Sequence, residues 1–315
     1  MRFAIFVSAV ALAVVSGAAF AGAPMVKTQA PGFYRVMLGD FEITALSDGT
    51  FSLDAEKLLT NTNPAKVNKA LARAFLKSPV ETSVNAYLIN TGQKLVLVDA
   101  GSGKLFGPTG GRLLVSLAEA GYRPEQVDEM YIIHLHGDHV GGIAPEGKIV
   151  FPNAIVRADK HDADFWLSEE TLKNAPAELK PFVEGAQASV KPYITAGKFK
   201  TFDGDTDLVA GVKAVATRGH TPGHSVYVAE SQGQKMVFWG DLMHVAAVQF
   251  ANPAVTIQFD IDAKAAAAQR RKAYVEAARQ GYLVASAHIS FPGIGRLRSE
   301  GKGYAWLPVN YSPLR

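Results

Sequence analysis

Six consecutive residues, His134-Leu135-His136-Gly137-Asp138-His139, constrain this chain more than any other feature. Four ligand-type side chains fall within one short loop, directly after the apolar run Met130-Tyr131-Ile132-Ile133, which reads as a buried strand. A strand end followed by a loop lets all four face one point, which helical periodicity would not allow. Imidazole and carboxylate suit zinc, and also iron, cobalt or manganese. The chain has no cysteine, so thiolate ligands, disulfides and a cysteine nucleophile are excluded. Gly137 and Gly141-Gly142 fit a backbone that must bend tightly there.

Three distant positions share that placement at strand ends. His224 lies in His220-Thr221-Pro222-Gly223-His224, Asp241 ends Phe238-Trp239-Gly240-Asp241, and His288 follows Leu283 to Ala285. Asp99, in Val98-Asp99-Ala100-Gly101, is expected to support the histidine loop from behind. His220 is expected to make a loop hydrogen bond, and His161 to lie on a solvated helix face. Gly101-Ser102-Gly103-Lys104 lacks the last glycine of a dinucleotide fingerprint and the ending of a P-loop, and there is no G-x-S-x-G elbow for a serine hydrolase.

The surrounding pattern alternates strands and helices. Phe41 to Leu46 runs into a turn at Ser47-Asp48-Gly49, and Asn90-Thr91-Gly92 joins Tyr87-Leu88-Ile89 to Leu95-Val96-Leu97-Val98 as a hairpin. Arg112 to Ala120 has helical spacing and stops at Gly121. Further on, Val226-Tyr227-Val228 and Met236-Val237-Phe238 read as strands, Lys264 to Gln280 as a helix closed by Gly281, and Leu283-Val284-Ala285 as the last strand. Asp159 to Lys200 reads as a helical insertion. With 315 residues and 48% hydrophobic side chains the chain can bury a large core, and two sheets under outer helices is the economical layering.

At the N-terminus, Met1-Arg2, the apolar run Phe3 to Val15 and the small residues up to Ala23 describe a secretory signal, with cleavage expected after Ala21 or Ala23. Residues 1–23 are therefore expected to be a leader and residues 24–315 the mature domain, exported to the periplasm without a stable membrane anchor. A net charge of +3, with acids and bases interspersed, gives no sustained positive stripe, so a nucleic-acid partner is not expected.

The histidine motif, with Thr221-Pro222-Gly223-His224, Gly240-Asp241 and His288, resembles the metallo-β-lactamase superfamily. The resemblance implies an α/β fold, an αβ/βα four-layer sandwich of two mixed sheets, and two divalent metal ions, most simply zinc. It implies that His134, His136 and His224 hold one ion, that Asp138, His139 and His288 hold the other, and that Asp241 bridges. It further implies hydrolysis by a hydroxide held between the ions, with Asp138 and Asp241 tuning the charge. The blocks Gly39 to Thr50, Leu105-Phe106-Gly107-Pro108, Asp164-Phe165-Trp166-Leu167 and His288 to Gly295 are similar to the methyl parathion hydrolase family and its lactone-hydrolysing, dihydrocoumarin hydrolase-like relatives. That likeness implies a homodimer and a leaving-group pocket walled by Phe106, Trp166 and Phe182. Organophosphate-hydrolysing members carry arginine where this chain has Leu58, leucine at His244, and smaller residues at Ile257 and Phe259. These four positions therefore point to lactones and neutral aryl esters, with phosphotriester turnover as a side activity. His244 is expected either to contact the substrate or leaving group, or to orient a ligand. A dedicated organophosphate triesterase, a phosphodiesterase and a non-catalytic metal-binding module are the competing readings. A β-lactamase is disfavoured by the bridging carboxylate at Asp241.

Overall fold

The computed structural model describes residues 22–314. Of the expected leader, residues 1–21 lie outside the described residues, and residues 22–30 have no regular secondary structure. Among the described residues no helix is long and apolar enough to cross a membrane.

From residue 31 onward, fourteen strands form two seven-stranded sheets. The first contains β1 (Phe33–Leu38), β2 (Phe41–Leu53), β3 (Val80–Asn90), β4 (Leu95–Val98), β5 (Glu129–Tyr131), β6 (Ile155–Asp159) and β7 (Phe199–Phe202), side by side in chain order. β1 to β4 pair antiparallel, and β4 to β7 pair parallel. The second contains β8 (Thr206–Val209), β9 (Val212–Ala216), β10 (Ser225–Ser231), β11 (Gln234–Phe238), β12 (Leu283–Ala285), β13 (Ile294–Glu300) and β14 (Gly303–Pro308), again in chain order. Only β11 and β12 are parallel in it; the other neighbours are antiparallel.

Strand period two distributes the core. Val96 and Val98 of β4 face Tyr227, Phe238 and Ala285 of the opposite sheet, while Leu95 and Leu97 face the helices Leu113–Glu119 and Lys180–Thr195. On the far side, Val228, Val237 and Val284 pack under Tyr274 and Ala277 of the helix Ala263–Gln280. The layers therefore run helix, sheet, sheet, helix, as expected for an αβ/βα sandwich. The helix Ala263–Gln280 is capped at its start by Asp262 and closed by Gly281 at φ 66°.

Three local expectations change. The chain does not turn at Ser47-Asp48-Gly49: β2 continues to Leu53 through a bulge, and the Asp48 carboxylate accepts from the backbone of Ser102, Gly111 and Leu113. Asp159 to Lys200 is not an insertion but the helical crossover that two parallel strands, β6 and β7, require. Leu283–Ala285 is not the last strand, since β13 and β14 extend the sheet to its edge.

Candidate metal centre

The parallel strands β4, β5, β6, β11 and β12 deliver the site at their carboxyl ends, the usual place for ligand-binding loops in sheets of this kind. β4 runs into Asp99, β5 into the loop of His134 and His136, β11 into Asp241, and β12 into His288. Asp138 and His139 sit in the short helix Gly137–Val140. Glycine is required at two points of close approach. A side chain on Gly142 would sit 2.0 Å from the Ala100 carbonyl oxygen. One on Gly240, at φ 51°, would meet Ile133 at 2.4 Å.

Two buried donor sets result, His134, His136, His220 and Asp241 in one, and Asp138, His139, Asp241 and His288 in the other. Asp241 belongs to both. Its Oδ2 lies 3.6 Å from His134 Nε2 and 3.3 Å from His220 Nε2, and its Oδ1 lies 3.0 Å from His139 Nε2 and 3.1 Å from His288 Nε2. His136 Nδ1 and His220 Nε2 are 3.2 Å apart, and His288 Nε2 is 3.3 Å from Asp138 Oδ2. Two donors each about 2.0–2.1 Å from a tetrahedral ion stand about 3.3 Å from one another, so these separations suit ligands arranged around cations. Both nitrogens of His134, Nε2 of His139 and of His288, and Oδ1 of Asp241 are buried without a hydrogen-bond partner. Buried polar atoms normally find partners, and two divalent ions would satisfy this set apart from His134 Nδ1, since an imidazole gives an ion only one of its nitrogens.

The sequence expectation for His224 is corrected. Its Nε2 accepts from the Asp241 backbone N–H at 3.2 Å and its Nδ1 lies 2.8 Å from Thr217 Oγ1, so neither nitrogen is available to an ion. His220, expected to make only a loop hydrogen bond, takes the ligand position. Its Nδ1 pairs with Asp260 Oδ1 at 2.8 Å, which leaves Nε2 to face the donor set. Asp99 supports the histidine loop as expected, meeting His139 Nδ1 at 2.8 Å and accepting from Ile133 N–H at 2.9 Å. His288 Nδ1 lies 2.9 Å from the Ser83 carbonyl oxygen. Asp162, which sequence reasoning passed over, joins the two histidine turns by accepting from Leu135 N–H at 2.8 Å and Gly223 N–H at 2.6 Å.

The electrostatics divide the imidazoles. Burial and neighbouring histidines hold His134 and His136 well below the usual imidazole range. Burial also opposes charge on His139, His220 and His288, but nearby carboxylates, Asp241 in all three cases, outweigh it. His139 is raised well above its ordinary value, His220 to about 9 and His288 to about 10. Asp241, despite burial, is held well below the usual carboxylate range by the histidines around it. Burial pushes Asp162 up to about 6 and raises Asp99.

A broken ring of aromatics stands around the donors. Phe51 meets His288 edge-on, with ring centres 5.7 Å apart, and Phe106, on the Gly-rich loop after β4, lies 5.6 Å from Phe51. Phe182 is 5.3 Å from His136 and 5.9 Å from Phe259. All four are partly exposed, and Phe51 had no distinguishing signal in the sequence. Two expected pocket residues are corrected. Trp166 is completely buried and touches His136 edge-on at 4.9 Å, bracing that ligand from the core side. Ile257 is 1% exposed and packs with Leu59, Val245 and Val248 in a satellite core on which Leu58 and Phe259 rest. His244 is buried with Nε2 3.0 Å from Asp241 Oδ2, its ring stacked on His288, and both of its nitrogens lack a hydrogen-bond partner. A third group, Asp159, His161 and Asp203, is partly exposed, and the Arg218 guanidinium lies 3.1 Å from His161 Nδ1, filling the place of a cation.

The model of the metallo-beta-lactamase superfamily matches residues 79–284, a span that contains six of these seven donors and ends just before His288. The chain belongs to that superfamily. It is similar to the crystal structure of AbOPH, a hydrolase in the beta-lactamase superfamily, with 37% identity and a TM-score of 0.86 over 91% of this chain and 100% of that one. It is also similar to AidC, a dizinc quorum-quenching lactonase solved with its product, with 27% identity and a TM-score of 0.83 over 90% and 99%. Among curated proteins, an N-acyl homoserine lactonase of a Bacillus species is 30% identical over 189 residues, 53% of this chain and 65% of that protein. Exodeoxyribonuclease WalJ of Streptococcus pneumoniae is 32% identical over 128 residues, 40% of each. The chain thus spans less than two thirds of these curated relatives.

Proposed function

We propose that this chain is a dinuclear-metal hydrolase of lactones and neutral aryl esters, with phosphotriester hydrolysis as a weaker side activity. The observation that carries this reading is the pair of donor sets sharing Asp241 beneath a partly exposed aromatic ring. A pair of divalent ions supplies Lewis-acid polarisation and a nucleophilic water at neutral pH. Asp138 and Asp241 cancel two of the four cationic charges, so the centre keeps about two net positive charges and favours a neutral ester that becomes anionic at its transition state. Phe51, Phe106, Phe182 and Phe259 offer apolar contact to the body of such a substrate. His244, buried with free ring nitrogens beside Asp241, is placed to hydrogen-bond the reacting group or its leaving oxygen. The lactonase relatives support the choice of lactones. We further propose export by the N-terminal leader, with residues 24–315 as the mature enzyme, and a homodimer.

Metal-reconstituted protein assayed on dihydrocoumarin-like lactones, aryl esters and methyl parathion tests the reading. Lactones and aryl esters should be turned over with the higher kcat/KM; a large preference for the phosphotriester overturns the order. The similarity to WalJ favours phosphodiester cleavage as the second reading, and rapid turnover of a bis-aryl phosphate diester would establish it. Asp241→Asn should abolish turnover of every substrate.

A further inference from the structure

Arg270, in the helix Ala263–Gln280, is 0% exposed, so no bulk water hydrates its guanidinium. A buried cation is tolerated only when fixed dipoles and an opposite charge surround it. Its Nε donates to the Leu242 carbonyl, one residue beyond the shared ligand Asp241, and its Nη1 donates to the carbonyls of Pro253 and Val255. Its Nη2, without a hydrogen-bond partner, lies 4.0 Å from Asp260 Oδ2. Asp260 in turn binds His220 through its other oxygen and accepts the Ile257 N–H at 3.1 Å. One guanidinium thus touches both chain segments that complete the His134, His136, His220 and Asp241 set.

We propose that Arg270 is a positioning residue for that donor set: it pins the turn carrying Asp241 and holds the Asp260 carboxylate in place, so that His220 presents Nε2 inward. The proposal rests on the two-metal reading above. It gives the two ions unequal dependence on the helix Ala263–Gln280. The second set shares Asp241, but its other members, Asp138, His139 and His288, make no hydrogen bond or ion pair with Arg270, and His139 and His288 are held by Asp99 and Ser83.

The test is chelator competition on zinc-loaded protein, with bound zinc counted by elemental analysis and cobalt spectra recorded in parallel. Wild type, Arg270→Met, Arg270→Lys, Asp260→Asn and Asp99→Asn are compared. Outer-shell partners of metal ligands typically change metal affinity about 10–100-fold. Asp260→Asn and Arg270→Met should both weaken the ion of the His220 set at least about tenfold, and the other ion, which keeps Asp138, His139 and His288, distinctly less; an equal loss of both ions overturns the proposal. Arg270→Lys restores charge but not the fork and should fall between. Asp99→Asn should weaken the other ion. A role in packing alone predicts lower stability with both ions retained. If Arg270→Met does not fold, Arg270→Lys and Asp260→Asn decide, and wild-type affinity for both ions in those two overturns the proposal. Wild-type protein that takes up fewer than two ions overturns the metal reading itself.

Discussion

Replacing the two histidines of the His220-Thr221-Pro222-Gly223-His224 turn, one at a time, separates a ligand from a brace. His220→Ala removes the nitrogen that faces His136 at 3.2 Å and leaves three donors in the first set. His224→Ala leaves every donor in place but strips the acceptor from the Asp241 N–H. An ion present at a thousand times its Kd stabilises the folded state by about 4.1 kcal/mol, so two ions add about 8 kcal/mol to wild type and one adds about half of that. His220→Ala should therefore lose one ion and about half of the zinc-dependent increment. His224→Ala should keep two ions and the full increment. Its metal-free baseline should drop by about 1–3 kcal/mol for the orphaned buried N–H, plus a cavity contribution. Urea unfolding in chelator and at buffered free zinc, with bound zinc counted, reads both quantities. The reverse pattern, with both ions retained in His220→Ala and one lost in His224→Ala, refutes the assignment of His220.

Burial raises Asp162 to about 6, so between its unfolded value near 3.9 and that point the folded chain holds a proton that the unfolded chain has released. This group's contribution is greatest below about pH 4 and falls as pH rises to about 6; Asp162→Asn lacks that loss, so the stability gap to wild type should narrow by up to about 3 kcal/mol from pH 4 to 7, as read by urea unfolding in chelator. A gap that widens with pH contradicts the reasoning. Carboxylates keep His220 and His288 charged at neutral pH, raised to about 9 and about 10, so zinc loading at pH 7 should release protons and tighten as pH rises. Calorimetry in buffers of different ionisation enthalpy measures the release, and its absence counts against the protonated imidazoles. Phe106→Ala should raise KM for aryl esters with little change in Tm, whereas Trp166→Ala should cost about 3–5 kcal/mol of stability, because that indole is fully enclosed. A Trp166→Ala protein of wild-type Tm with a raised KM would place the indole in the substrate cavity after all.

Most of the donor set was legible because its chemistry is local: four ligand types in six residues, after a strand, leave little else for them to do. The choice between His220 and His224 was not local. Both sit in one rigid turn, and what decides it is a carboxylate forty positions away, Asp260, which takes up Nδ1 of His220, while Thr217 and the Asp241 N–H occupy His224. The aromatics posed the same difficulty, since the family likeness marked Phe106 and Trp166 alike while packing against the crossover helices enclosed only the second. Four of the parallel strands, β4, β5, β11 and β12, read well from apolar runs, whereas β6 and β7, at the two ends of the segment taken for an insertion, did not. β13 escaped because Arg296, Arg298, Ser299 and Glu300, on an outer strand, give its second half a polar composition. Gly49 was read as a turn, but the same residue permits the bulge by which β2 continues.

Because Asp241 and His288 follow strands of one sheet while His134 to His139 follow a strand of the other, no fragment of the fold can assemble the centre alone. Each cation would fasten segments far apart along the polypeptide, where the entropy of closing the intervening loop is largest. On the two-metal reading, occupancy would act as a built-in proofreading signal: a chain whose halves have not mated would stay empty, and only a correctly married pair of sheets would hold both ions.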